Sequence, residues 1–155
     1  MDKALDSIEF EMMLLGRYSL SERRGAAHRL DRSAYTLLSR LSAEGPMTIG
    51  QLSDAMNLNQ STLNRQTTAM MKNSVVERIP DPEGGIARKF RITDAGQRAL
   101  ERDRAGSIHA LNAILADWPD ADVAAFAENL RRFNASIEAY IGRPWPRSET
   151  APDAH

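Results

Sequence analysis

Polar side chains recur at Ser61, Asn64, Arg65, Thr68 and Lys72 within the stretch "QSTLNRQTTAMMKN". Spacings of three and four place them on one face of a helix, and none of them is acidic. Their chemistry suits nucleic-acid edges. Asn64 can pair bidentately with an adenine edge and Arg65 with a guanine edge or a phosphate, while Ser61 and Thr62 can reach phosphate or base. A polar helix face is usually plain solvated surface, so the reading depends on what holds this helix and what stands beside it.

What stands beside it is "SVVERIPDPEGGIARKFRIT", Ser74 to Thr93. Two short strands flank a tip built from Pro80, Pro82, Gly84 and Gly85, and the return arm carries Arg88, Lys89 and Arg91. From Asn59 to Thr93 the basic residues Arg65, Lys72, Arg78, Arg88, Lys89 and Arg91 oppose the acids Glu77, Asp81 and Glu83, a local +3 in a chain of net −1. Basic charge concentrated in one segment is the electrostatic footprint of a nucleic-acid binder. Charges on a strand edge also discourage edge pairing, which is the plainer account of the return arm.

A lone hairpin is marginally stable in water, so other elements must support this one. Thr48 and Gln51 form a capping box that opens a short helix through Ile49, Leu52 and Met56. That helix stops near Asn57, and Asn59 or Ser61 can cap the next one. Two short helices joined by a tight turn outline a helix-turn-helix. Upstream, Asp31 can cap a helix carrying Tyr35, Leu37, Leu38 and Leu41. Asn73 suits a left-handed cap at the end of the polar-faced helix.

Longer apolar faces lie outside this middle. Leu5, Ile8, Met12 and Leu15 define a first helix, and Thr93 can cap a long one through Leu100, Ile108, Leu111, Leu115 and Trp118. Asp120 can cap a last helix whose seam is Val123, Phe126, Leu130, Phe133, Ile137 and Tyr140. These faces hold more apolar surface than a small three-helix core needs, which favours a homodimer over an intrachain closure. The fold expected is mainly α with a small β-hairpin wing: one domain over 1–142. Its winged helix-turn-helix lobe is 31–93, flanked by dimerisation helices in 1–24 and 94–142. The tail 143–155, with three prolines, is expected to be disordered.

At this point the chain resembles the MarR-type winged-helix regulators, over roughly Leu30 to Ile141. The resemblance is carried by "GPMTIGQLSDAMNLNQSTLNRQTTAM", "VVERIPDPEGG" and "FRITDAGQRAL". These are similar to the family's Gly-Pro-x-Thr-x-x-x-Leu helix entry, its Ser-Thr-x-x-Arg recognition helix, its Val-x-Arg strand and its Leu-Thr-x-x-Gly wing exit. The resemblance implies a homodimeric repressor of a near-palindromic operator, with the helix at Asn59 to Asn73 reading double-stranded DNA and Gly84 to Lys89 forming the wing tip. It also implies release by a small aromatic or anionic effector, in a cleft that Tyr18, His28, Tyr35 and Trp118 could line. Two departures stand out. Gly84 and Ile86 occupy the places where many members carry an Asp-x-Arg pair, so wing contact falls to Arg88 and Lys89; and Ser74 stands where members often place Gly.

Other chemistry finds little footing. Without cysteine there is no disulfide, Cys-ligated zinc or thiol sensing, and His28 and His109 lack metal-ligand spacing, so neither a metal nor a cofactor is expected. No nucleophile–base pair or phosphate-cradling glycine loop points to an enzyme. No apolar run approaches a membrane span, and a cytoplasmic location is the expectation. The competing reading is a winged helix used as a protein-interaction module without its own operator.

Overall fold

The computed structural model describes residues 2–18 and 30–147. Six helices and three short strands follow one another: α1 Asp2–Leu15, α2 Arg32–Glu44, β1 Met47–Thr48, α3 Ile49–Met56, α4 Gln60–Lys72, β2 Val76–Ile79, β3 Lys89–Ile92, α5 Asp94–Ile114 and α6 Asp120–Ile141. Among the described residues, no helix is long and apolar enough to cross a membrane.

Local chemistry accounts for most helix starts. Asp31 caps α2 by accepting from the Ala34 N–H at 2.7 Å. Thr48 and Gln51 satisfy each other's backbone donors at the start of α3, at 3.1 and 2.9 Å. Asn59 caps α4 through the Thr62 N–H at 2.8 Å, and Thr93 caps α5 through the Gly96 N–H at 3.0 Å. The start of α6 departs from expectation. Pro119 occupies the cap position without a side-chain bond, and Asp120 lies inside the first turn, where its charge complements the helix dipole.

The hairpin gains two kinds of support. β3 lies between β2 and β1 in an antiparallel sheet, with Met47 opposite Phe90 on one side and Val76 opposite Ile92 on the other. The sheet then closes over the helices. Leu37, Leu38, Leu41, Met47, Leu52, Leu63, Met70, Val75, Val76, Phe90 and Leu100 form one buried cluster. Burying each large side chain contributes about 1.5–3 kcal/mol, which is what a two-stranded ribbon alone lacks.

The junction after α4 is built differently from the sequence-based expectation. Asn73 is right-handed, with φ −85°, and Ser74 takes the left-handed conformation at φ 61°. The Val75 N–H reaches back to the Met70 carbonyl at 3.1 Å and the Ser74 N–H to the Met71 carbonyl at 3.0 Å, which is a Schellman closure. The left-handed residue in that motif is the one after the cap, so Ser74 bears the strain that glycine would avoid. On the far side of the wing, Gly96 packs so tightly that a Cβ there would collide with the Val75 carbonyl oxygen.

α1 and α6 stand outside this core. Leu5, Ile8, Met12 and Leu15 on α1 are exposed, as are Phe126, Leu130, Phe133 and Ile137 on α6, and α6 buries none of its residues. The α6 seam therefore does not close an intrachain core. Of the tail 143–155, expected to be disordered, residues 143–147 are bonded to α2, α3 and α6 through arginine and tryptophan side chains, and 148–155 lie outside the described residues.

Two substitutions report on the α4–wing junction. Ser74→Gly should stabilise the fold by about 0.5–1 kcal/mol in urea unfolding, since relief of the left-handed cost exceeds the added chain entropy. Gly96→Ala should destabilise it by about 1–3 kcal/mol, because the Val75 carbonyl cannot move without disturbing the start of the wing.

Candidate nucleic-acid interface

α4 is positioned by its buried face. Leu63, Thr67 and Met70 point into the core, and the Thr67 hydroxyl is satisfied by donating to the Leu63 carbonyl at 2.8 Å. With that face fixed, Ser61, Asn64, Arg65, Thr68 and Lys72 are all exposed together on the opposite side. Asn64, Arg65, Thr68, Ala69 and Lys72 line a shallow groove of ≈ 400 Å³ along the helix. The Ser61 hydroxyl donates to Asn59 Oδ1 and the Thr68 hydroxyl to the Asn64 carbonyl, so both keep oxygen lone pairs facing outward. Thr62 departs from this set. It is half-buried and faces a cavity between α4 and the start of α2.

The wing tip is organised by Asp81. Its carboxylate accepts from the Glu83 N–H at 2.9 Å, and its carbonyl accepts from the Gly84 N–H at 3.0 Å. The Glu83 N–H foremost, helped by the nearby Lys89 ammonium, holds the Asp81 carboxyl below the usual carboxylate range against a smaller desolvation effect. Gly84 is left-handed at φ 82°, and a Cβ on Gly85 would collide with the Asp81 carboxylate.

This arrangement divides the wing's basic residues. Lys89 Nζ lies 3.4 Å from Asp81 Oδ1 with its side chain only 15% exposed, so Lys89 braces the tip. Lys89, expected to share DNA contact with Arg88, is thus paired across the tip with Asp81. Spacing along the strand could not reveal that Asp81 folds back onto it. Arg91 pairs with Glu77 on the neighbouring strand. Arg78 lies over the Phe90 ring, 5.2 Å from its centroid. Arg88 is exposed, and among the described residues no ion pair engages Arg65, Lys72, Arg78 or Arg88. Ile86, in the place of the missing wing arginine, is fully exposed.

Of the residues named for an effector cleft, Tyr18, Tyr35 and Trp118 line neither of the two cavities along α4. Tyr18 is exposed beyond α1, and Trp118 is exposed with an edge-to-face contact to Phe126. Tyr35 packs against the core cluster, and His28 lies outside the described residues. The larger cavity, ≈ 460 Å³, instead lies behind α4, lined by Leu30, Asp31, Ala34, Arg65, Gln66 and Met70 among others. Gln66 Oε1 is buried there and has no hydrogen-bond partner among the described residues. Gln66 shares no motif with the other site residues, and nothing in its spacing marks it.

The same architecture recurs in known proteins. A family model described as the MarR family matches residues 30–84. The uncharacterized HTH-type transcriptional regulator YxaD of Bacillus subtilis is 31% identical over 137 residues, covering 86% of this chain and 94% of that protein. A MarR family protein from Bacillus stearothermophilus superposes with a TM-score of 0.66 at 24% identity, over 88% of this chain and 91% of that one. The PcaV transcriptional regulator from Streptomyces coelicolor, solved in complex with its natural ligand, gives a TM-score of 0.60 at 20% identity, over 83% and 92% of the two chains. The helix-turn-helix, its three-stranded wing and these likenesses agree: the chain belongs to the MarR family of winged helix-turn-helix, DNA-binding transcriptional regulators, which are not enzymes.

Proposed function

We propose that the protein is a homodimeric repressor of a near-palindromic operator, read by the exposed face of α4 and relieved by a small ligand. The observation that carries this reading is the acid-free face of Ser61, Asn64, Arg65, Thr68 and Lys72, held rigidly outward by the buried side of the same helix. Asn64 and Arg65 would read base edges in the major groove, with Thr62 at the margin. Arg88 would hold the backbone from the wing.

The uncovered apolar faces of α1 and α6 support a dimer. Phe126, Leu130, Phe133 and Ile137 follow a seam spacing and are between 37% and 46% exposed in the single chain, which is costly in water unless a second copy covers them. Two copies then present two α4 helices to half-sites about one helical turn apart. A dimer lying across successive major grooves blocks the promoter sterically, so repression follows directly from binding.

Ligand relief is supported by the cavity behind α4. A small anionic or aromatic molecule that also carries a hydroxyl or N–H could donate that hydrogen to Gln66 Oε1 and meet Arg65 at the rim. Binding that favours one placement of α4 must weaken the other by linkage.

Three outcomes test this reading. On an operator selected from a random duplex pool, Arg65→Ala should cost about 1–3 kcal/mol in anisotropy titrations without altering the oligomer; full affinity in the variant would remove Arg65 from the interface. Across a salt series, Arg88→Ala should lower the slope of log K against log salt by about one, and Lys89→Ala should change it far less. Equal slopes for the two would show that the Asp81 pair does not withhold Lys89. Phe133→Asp should shift the chain from dimer to monomer in sedimentation, and a parent already monomeric at micromolar concentration would sink the dimer.

A further inference from the structure

The end of α6 is fastened to the DNA-reading lobe by contacts that neither a dimer seam nor a DNA contact accounts for. Gly142, left-handed at φ 69°, closes the helix and turns the chain back. Arg143 Nε then donates to the Asp54 carbonyl of α3 at 3.0 Å. The Pro144 carbonyl accepts from Arg40 Nη1 of α2 at 3.3 Å, and the Arg40 guanidinium lies over the Trp145 ring, 4.9 Å from its centroid.

The shape of this segment is set from within by Glu138. Its carboxylate accepts from the Trp145 N–H at 3.1 Å and from the Arg147 guanidinium, with Nη1 at 2.9 Å. Arg147 foremost, then the Trp145 N–H, holds the Glu138 carboxyl down to about 2, so it remains a carboxylate at any ordinary pH. On the other side Arg40 is held by Glu44 as well, and its side chain is only 11% exposed. Isolated surface ion pairs do little. Here a cation–π contact, two bonds to backbone carbonyls and a doubly used carboxylate converge on five consecutive residues.

We propose that residues 143–147 form a strap, anchored on Arg40 and Glu138, that sets the angle between α6 and the DNA-reading lobe of the same chain. It would thereby set the separation of the two recognition helices in the dimer. Arg40, Glu138 and Trp145 are then positioning residues, far from any base. The leverage is large. A helix of this length is about 33 Å long, so a rotation of about 10° at the strapped end moves the other end by about 6 Å. α5 is tied to the same α2 helix independently: the Leu30 N–H, just before α2, donates to the buried Asp103 carboxylate at 2.9 Å, and the Ser42 hydroxyl donates to Gln97 at 3.0 Å. α2 is thus the element on which both long C-terminal helices are aligned. Only the last step of the inference, from angle to operator spacing, rests on the homodimer reading.

The chain has no cysteine, so paired spin labels can be placed cleanly at Gln60→Cys on α4 and Arg132→Cys on α6. Diluting the labelled full-length chain into excess unlabelled chain restricts the reading to distances within one protomer. A narrow distribution is expected for the parent, a broadened or displaced one for Trp145→Ala and for Glu138→Gln, and recovery for Trp145→Phe, with thermal unfolding almost unchanged. Operator affinity should fall about threefold to tenfold in the first two variants and recover in the third. Distances in Trp145→Ala and Glu138→Gln identical to the parent would overturn the strap. Broadened distances with unaltered operator affinity would overturn its positioning role. A parent that binds no duplex, yet whose distances still respond to Trp145→Ala, would support the strap while removing the operator reading.

Discussion

Three elements converge where Gly96 lies against the Val75 carbonyl. The last turn of α4 ends there, the wing starts there, and α5 begins its first turn there. Thr93 joins them by donating its hydroxyl to the Ser74 carbonyl at 2.6 Å, its N–H to the Val75 carbonyl at 3.1 Å, and accepting from Gly96. The direction of the recognition helix, the base of the wing and the departure of the long helix are thus one geometric decision. A side chain at position 96 would force them apart, which is why the tight contact falls on a glycine.

From that junction the two halves of the interface acquire different stiffness. α4 is fixed along its length by Leu63, Thr67 and Met70 in the core, so its outer face behaves as a rigid surface. The wing is fixed at its base by β1 and by Phe90, and at its tip by Asp81 with its backbone donors and Lys89. Charge at the tip therefore serves the wing's own shape before it serves a partner. Among the described residues, Arg88 is in no ion pair, while Lys89 is paired with Asp81 and Arg91 with Glu77.

The long helices show the complementary situation. α1 and α6 carry apolar side chains outside the core that stay exposed among the described residues. Polar and cation–π contacts at its end hold α6 to the DNA-reading lobe, and its seam is left open among the described residues. Apolar surface suits the adhesive work of association, being non-directional, whereas bonds with defined geometry suit the setting of an angle.

Residue pattern alone was enough for the elements whose causes are local. The caps at Asp31 and Thr93, the Thr48–Gln51 box, the turn between α3 and α4, the polar face at Ser61, Asn64, Arg65, Thr68 and Lys72, and the seam spacing of α6 all depend on neighbours three or four positions away. What only the tertiary structure decided involves partners brought close by the fold or by a turn. Lys89 is paired with Asp81 across the wing tip, the left-handed residue is Ser74 because the closure runs from Val75 back to Met70, and residues 143–147 are held because Arg40 of α2 meets them. The cavity at Gln66 belongs to the same class, since its walls come from the start of α2 and the flank of α4. Short-range spacing determines which face a side chain joins; which charge remains free on that face is settled only when distant residues arrive beside it.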